Sequence, residues 1–248
     1  MGQIWEIVIK YWPMYLRGAG VTLYLSILGT VFGFIIGLLA GIIRSIPVPE
    51  DGWKRILLRA VNAILAVYIA IFRGTPMIVQ AMVIYYGAAQ AGFEMDRMAA
   101  GIMIVSINTG AYMAEIIRGG IISIDTGQFE AAQALGMNPV QTMTKVVLPQ
   151  AIRNILPAIG NEFVINIKDT SVLNVISITE LYFQTSTVAG IHFSFFGPFF
   201  IACILYFIMT YAVTRILRMV EKRLDGPKNY ALTSRARKVK GVQYGEGN

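Results

Sequence analysis

The chain is dominated by long stretches without a charged residue. Residues 20–43 carry no charge and are flanked by arginine on both sides, and a membrane-spanning helix needs about 20 apolar residues. Residues 60–93 are uncharged except at Arg73. Because Pro76 follows shortly and lacks a backbone donor, it disturbs the helix at that point. The pattern predicts a first transmembrane helix at 20–43 and a long second helix that kinks or breaks at 73–76.

Further along the chain lie three more apolar stretches, separated by polar segments. They cover residues 98–114, 152–178 and 197–214. The stretch at 152–178 is unusually polar for a membrane helix. The whole pattern predicts an all-α integral membrane protein with five transmembrane helices. We place its membrane domain at 20–221, with a hydrophilic cytoplasmic loop at about 119–150.

The two ends of the chain differ from this domain. Residues 1–19 read as an interfacial N-terminal segment, with Trp5 and Trp12 at the depth of the lipid headgroups. Residues 222–248 are basic and contain Gly, Pro and Ser. Such a composition predicts a disordered cytoplasmic tail that lies against anionic lipid.

Composition and charge support the membrane interpretation. The chain is 56% hydrophobic and 14% charged, whereas a soluble domain is about 45–50% apolar and about 25% charged. With five spans and a cytoplasmic C-terminus, sixteen Lys and Arg residues fall inside and three outside. The positive-inside rule therefore places the N-terminus outside and the C-terminus in the cytoplasm. The same distribution explains the net charge of +7 without nucleic-acid binding.

Glycines recur every four residues along the first predicted span. They are Gly29, Gly33, Gly37 and Gly41. A stripe of small residues lets another helix approach closely. Two roles fit it: an interface with another subunit or a moving core, and ordinary packing within the bundle.

Two short helices are predicted in the cytoplasmic loop. Asp125 or Thr126 can cap the first, and Gly136 can end it. Asn138 can cap the second, with Pro139 at its first position and its end before Pro149. The apolar faces would be Phe129, Ala132 and Leu135 in the first helix and Val140, Met143 and Val147 in the second. A helix–glycine–helix outside the bilayer indicates a docking element for a soluble partner.

The loop also carries a family resemblance. Glu130-Ala131-Ala132, then Gly136, then Val146-Val147-Leu148-Pro149 resembles the EAA loop of ABC importer permeases, with Val146 where that pattern often has Ile. Three flanking motifs resemble the permeases of polar amino acid importers, the histidine/glutamine/glutamate/arginine/opine type. These motifs lie at residues 72–76, 108–120 and 160–171.

The resemblance implies a type I ABC importer permease in the prokaryotic plasma (inner) membrane. Such permeases form homodimers or heterodimers with a homologous permease, and work with two ATP-binding cassette ATPase subunits and an extracytoplasmic substrate-binding protein. The ATPase contacts would be Glu130, Ala131, Ala132, Gly136, Asn138 and Pro139. The chain has no Gly-Lys dipeptide and so no P-loop. We expect no enzyme activity, metal or cofactor in this chain, with ATP and Mg on the partner ATPase.

Charged residues at membrane depth indicate where an amino acid would pass, because such residues are costly and usually functional. Glu162 and Asp169 are seven residues apart and share a helix face, where they could bind an ammonium group. Arg73 could bind a carboxylate through its guanidinium fork. We expect neutral hydrogen bonds to substrate from Asn161, Asn166, Thr170 and Gln80.

A structural role is the alternative for these charges. Arg73, Glu162, Lys168 and Asp169 sum to zero charge and could form an ion-pair network. We assign Lys168 a structural role, and Glu115 with Arg118 a pair near the inner boundary.

Other classes of membrane protein fit less well. A membrane enzyme such as a lipid-phosphate phosphatase would need a phosphate-binding or general-acid constellation, but the sequence has no clustered histidines and no metal-ligand spacing. A channel would need a repeated filter or a ring of like charges. A secondary transporter usually has internal repeats and has no ATPase to dock. The sequence leaves open which amino acid is carried and whether the binding protein determines specificity.

Overall fold

The computed structural model describes residues 2–224, and within that range every regular element is helical. Residues 225–248 of the predicted disordered tail lie outside the described residues. The helices are α1 (Gly2–Ser45), α2 (Trp53–Gly74), α3 (Met77–Gln90), α4 (Arg97–Ile122), α5 (Thr126–Ala134), α6 (Pro139–Gln141), α7 (Leu148–Asp169), α8 (Leu181–His192) and α9 (Phe196–Leu224). A π-helical segment, Thr142–Val147, joins α6 to α7, and a 3₁₀ segment, Thr170–Ile176, follows α7.

The first helix is longer than predicted, because α1 runs without interruption from Gly2 to Ser45. Its N-terminal half buries Ile7, Tyr11 and Tyr15, which follow one another at four-residue spacing. These side chains pack with residues of α8 and α9. The segment before residue 20 is thus the first part of α1 and not a separate helix. Its position at the membrane surface stays a prediction.

The predicted break in the second long helix is confirmed. Helix α2 ends at Gly74, Thr75 is extended with φ −124°, and α3 begins at Met77. The Gln80 amide donates to the carbonyl oxygens of Phe72 and Thr75 at 3.0 and 2.9 Å. This side chain satisfies carbonyl groups that the broken helix leaves without a partner.

The glycine stripe of α1 packs against α4. A Cβ at Gly33 would lie 2.7 Å from Thr109 Cβ, and one at Gly41 would lie 2.9 Å from the Ala114 carbonyl oxygen. Because real Cβ atoms do not approach this closely, glycine is what lets the two helices meet. Of the two roles open for this stripe, the structure shows packing within the bundle.

By length and apolar composition, four helices in the described part of the chain could cross a membrane: α1 over Ile4–Ser45, α2, α4, and α9 over Phe196–Arg223. The predicted fourth span corresponds to α7 with the 3₁₀ segment, which is more polar. Helix α7 packs against α4, α9 and α1. The count of five spans stays a prediction.

Candidate functional site

The first loop helix forms as its sequence predicts. Asp125 caps α5, because its Oδ1 accepts from the Gly127 N–H at 2.7 Å. Gly136 ends the turn with φ +75°. Its N–H donates to the Gln133 carbonyl at 2.9 Å, and the Met137 N–H donates to the Ala132 carbonyl at 3.0 Å. A positive φ is why glycine is favoured at this corner.

The start of the second loop helix is also confirmed, but its predicted end is wrong. Asn138 and Gln141 form a reciprocal capping box with distances of 2.9 and 3.0 Å, and Pro139 is the first residue of α6. The helix does not end before Pro149. It continues through the π-helical segment into α7, where the Leu148 N–H donates to the Met143 carbonyl. The wider π turn accommodates the proline that would disturb an α-helix.

Some apolar residues of the loop are buried against the bundle, and others point outward. Ala132 and Val147 are buried, and Val147 belongs to a buried cluster with Ile117 of α4 and with Ile124, which follows α4. Leu135 and Val140 point outward, with 81% and 70% of their surfaces exposed. The residues predicted to contact the ATPase are exposed except for Ala132: Glu130, Ala131, Gly136, Asn138 and Pro139. We call this outward side of the loop the coupling surface.

An ionic cluster ties the end of α1 to α4. Arg118 Nη2 lies 3.0 Å from Glu115 Oε2, so the predicted pair is confirmed. Arg44 at the end of α1 pairs with the other oxygen of Glu115. Sequence reasoning missed this second partner, which lies 71 residues away.

The charged candidates for substrate contact lie on α7 and at the end of α2. Glu162 is half-buried, whereas Asp169, Lys168 and Asn161 are exposed. Arg73 and Asp169 are the charged groups near enough to act on the Glu162 carboxylate. The Arg73 guanidinium lies 5.3 Å from the ring centre of Tyr112, in cation–π geometry. Arg73 and Asp169 therefore each lie near Glu162.

The predicted alternative, an ion-pair network among these charges, does not form. Throughout residues 2–224, Arg73, Glu162, Lys168 and Asp169 make no ion pair within 4.0 Å.

The neutral candidates differ, because three of them are buried and bonded to the chain itself. Asn166 donates to Thr30 Oγ1 at 2.8 Å and accepts from Thr109 Oγ1 at 3.0 Å, which joins α7 to α1 and α4. The Thr170 hydroxyl donates to the Ile167 carbonyl at 3.2 Å. Gln80 Oε1 accepts from Asn108 Nδ2 at 2.9 Å, a partner that sequence reasoning missed. Contact of Asn166, Thr170 and Gln80 with substrate stays a prediction. The fourth neutral candidate, Asn161, is exposed.

Comparison with known proteins defines the class. Residues 33–226 match the family described as binding-protein-dependent transport system inner membrane component. The glutamine transport system permease protein GlnP of Escherichia coli (strain K12) is 37% identical over 222 residues, covering 89% of this chain and 97% of that protein. The arginine transport system permease protein ArtQ of Bacillus subtilis (strain 168) is 32% identical, covering 86% and 93%.

A solved structure agrees with these sequence relatives. The crystal structure of an amino acid ABC transporter with histidines superposes with a TM-score of 0.75 and 35% identity, over 87% of this chain and 96% of that chain. The chain belongs to the family of inner membrane components of binding-protein-dependent transport systems. It is a permease subunit of an ABC importer, it is not itself an enzyme, and its fold resembles a type I permease. Hydrolysis of ATP belongs to the partner ATPase.

Proposed function

We propose that this permease carries polar amino acids, including cationic ones, into the cell. The observation that carries the proposal is the pair of carboxylates on α7, Glu162 and Asp169, which share a region with Arg73 and have no ion-pair partner in the described structure. Two relatives, a glutamine and an arginine transport system permease, support the same substrate class.

Each group of an amino acid finds a complement among these residues. The Glu162 and Asp169 carboxylates bind the α-ammonium group, and one of them binds a cationic side chain when there is one. Arg73 binds the α-carboxylate through two parallel N–H groups. The ring of Tyr112 beside Arg73 holds the guanidinium in place. Asn161 adds a neutral hydrogen bond.

The topology proposed for this function has five spans, with α7 and the 3₁₀ segment as the fourth. The N-terminus lies outside and the C-terminus lies in the cytoplasm, as the distribution of Lys and Arg favours. Helix α7 is polar because the face that carries Glu162 and Asp169 lines the substrate path. This orientation places the coupling surface in the cytoplasm.

The coupling surface is where the ATPase docks. Leu135 and Val140 supply apolar contacts, and Glu130 supplies a charge beside them. Two ATPase subunits serve two permeases, which are two copies of this chain or this chain with a homologous permease. A substrate-binding protein delivers the amino acid on the outer side.

A thermal-stability screen tests whether the membrane site selects substrate. The permease–ATPase complex is heated with arginine, lysine, histidine, glutamine or leucine. A ligand at a hundredfold excess over Kd stabilises the folded state by about 2.7 kcal/mol. We expect polar and cationic amino acids to raise the unfolding midpoint and leucine to leave it unchanged.

Two Glu→Gln variants show whether the thermal shift depends on the proposed site. Glu162→Gln should abolish the shift. Glu6→Gln, an exposed position of α1 outside the proposed site, should keep it. A shift that survives Glu162→Gln, or no shift with any amino acid, would contradict the proposed site.

A further inference from the structure

A groove runs between α7 and α9 near the C-terminal end of α9. It consists of two adjoining depressions of about 230 and 250 Å³, which share Val164, Thr214 and Arg218. The first extends along Phe207 and Tyr211, and the second extends along Leu217. We call it the α7/α9 groove.

Two arginines at one end of the groove are available for an anion. Arg215 and Arg218 are three residues apart on α9 and both are exposed. In the part of the chain that the structure covers, neither lies within 4.0 Å of a carboxylate. Glu221 lines the same depression as Arg218, so two positive charges face one negative charge.

Tyr211 orients the guanidinium group of Arg215 at the arginine end of the groove. Arg215 donates from Nε and Nη2 to the Tyr211 hydroxyl oxygen at 2.9 and 2.6 Å, and its guanidinium lies 5.0 Å from the ring centre. The arginine is therefore held in one orientation. The phenol proton has no acceptor among the described residues, so it can be donated to a phosphate oxygen alongside the guanidinium groups.

The other end of the groove suits a hydrocarbon chain. Phe207 and Val164 are apolar, and the hydroxyls of Thr210 and Thr214 donate to backbone carbonyls at 2.8 and 2.7 Å, which leaves their methyl groups to the groove. A ligand with a charged head and an apolar tail matches this gradient along α9.

The depth of the arginines matches a lipid headgroup. Residues 197–214 of α9 are uncharged and Arg215 follows them directly. From Phe196 to Arg215 the helix rises about 28 Å, and the hydrocarbon core of a bilayer is about 30 Å thick. Whichever way the chain is oriented, Arg215 and Arg218 therefore lie at one membrane surface.

We propose that the α7/α9 groove binds an anionic phospholipid, with its phosphate on Arg215, Arg218 and Tyr211 and one acyl chain along Phe207 and Val164. Basic pockets between transmembrane helices bind such headgroups by charge complementarity. The proposed function enters only in the choice of leaflet, because the proposed topology places Arg215 and Arg218 at the cytoplasmic surface.

Native mass spectrometry of the purified permease–ATPase complex tests this proposal. The complex is titrated with phosphatidylglycerol and, separately, with phosphatidylcholine of the same acyl chains. We expect retained phosphatidylglycerol and little phosphatidylcholine. The double variant Arg215→Gln/Arg218→Gln should lower phosphatidylglycerol binding by about tenfold or more. Tyr211→Phe should lower it partly. The control Lys54→Gln/Arg59→Gln removes two exposed charges of α2 and should leave it unchanged.

Four results would overturn the proposal. Equal loss in the control variant would indicate a diffuse basic surface. Equal binding of phosphatidylcholine would remove the headgroup preference. Displacement by inorganic phosphate would indicate a soluble anion. Disulfide cross-linking of two permeases through Thr214→Cys, in a Cys203→Ser background, would make the groove a subunit interface. The assay measures binding without transport, so any of these leaves the proposed transport function standing.

Discussion

Gln80 shows how one buried side chain can hold a broken helix. It lies just past the break between α2 and α3, is 6% exposed, and donates to groups of Phe72 and Thr75. Asn108 of α4 donates to both Gln80 and the Phe72 carbonyl. Leaving such buried groups without partners costs about 1–3 kcal/mol each. The end of α2, where Arg73 lies, therefore depends on Gln80.

Replacing Gln80 by alanine should destabilise the protein. We expect Gln80→Ala to lower the free energy of unfolding by about 1–3 kcal/mol, seen as a lower thermal midpoint of the purified complex. Gln90→Ala, at the exposed end of α3, is the control and should change little. An unchanged midpoint together with weaker substrate binding would assign Gln80 to the substrate site instead.

For the proposed substrate site, the sequence predicted which charged residues lie at membrane depth, but it did not predict which hydrogen bonds the neutral residues make. Charge at membrane depth is visible in the sequence, and it singles out Arg73, Glu162 and Asp169. The sequence does not show which amides are already bonded, because the partners of Asn166 come from two other helices. Thr30 lies 136 residues away from it. Long-range hydrogen bonds of this kind leave no local signal.

At the scale of elements, the contact between α1 and α4 organises the bundle. The glycines of α1 face Val105, Thr109, Met113 and Ala114 of α4. At the ends of these helices the Arg44–Glu115–Arg118 cluster adds ionic contacts. The close approach is possible only where no side chain intervenes, so single glycine substitutions should show which positions hold the two helices together.

Gly37 and Gly20 make a matched pair of tests on α1. A Cβ at Gly37 would lie 2.9 Å from the Ala114 backbone nitrogen, whereas a Cβ at Gly20 meets nothing within 4 Å. We expect Gly37→Ala to lower stability by about 1–3 kcal/mol and Gly20→Ala to raise it by about 0.5–1 kcal/mol. Thermal midpoints of the two variants measure this. Equal effects would show that α1 and α4 separate easily at Gly37.

Gly136 should matter for coupling through its backbone conformation. Its φ of +75° strains a β-branched residue, whereas asparagine tolerates the left-handed region. We expect Gly136→Val to weaken binding of the ATPase and lower ATP-driven uptake several-fold, and Gly136→Asn to keep most of both. Gly119→Ala, at an exposed helical position of α4 with open space around it, serves as the control. Full coupling in Gly136→Val would contradict a role for this turn.

The loop elements were predictable because their signals are local. Caps at Asp125 and Asn138 and the corner at Gly136 depend on residues within three positions. The continuation of the second loop helix into α7 was not predictable from Pro149. The proline signals an end, but the π turn before it changes the hydrogen-bond register. The full length of α1 was also not predictable from local signals, because its first residues pack on α8 and α9, which lie far away in the sequence.

At the scale of the whole molecule, one continuous helical element joins the coupling surface to the carboxylates of α7. The helical path from Pro139 runs through the π turn into α7, which carries Glu162 and Asp169. With the ATPase docked at the coupling surface as proposed, its movement would act directly on the helix that holds the two carboxylates. On the proposed function, this continuity connects ATP-driven closure to the proposed substrate site.

The most direct test of this account is ATP-dependent uptake into proteoliposomes. They contain the permease, its ATPase and its binding protein, and uptake of radiolabelled arginine and glutamine is measured. Losing a charge-assisted hydrogen bond costs about 1.5–3 kcal/mol. We therefore expect Glu162→Gln and Asp169→Asn to lower uptake by about tenfold or more, with assembly intact and with Glu6→Gln unaffected. Wild-type uptake by both carboxylate variants would contradict the claim that these groups of α7 face the substrate.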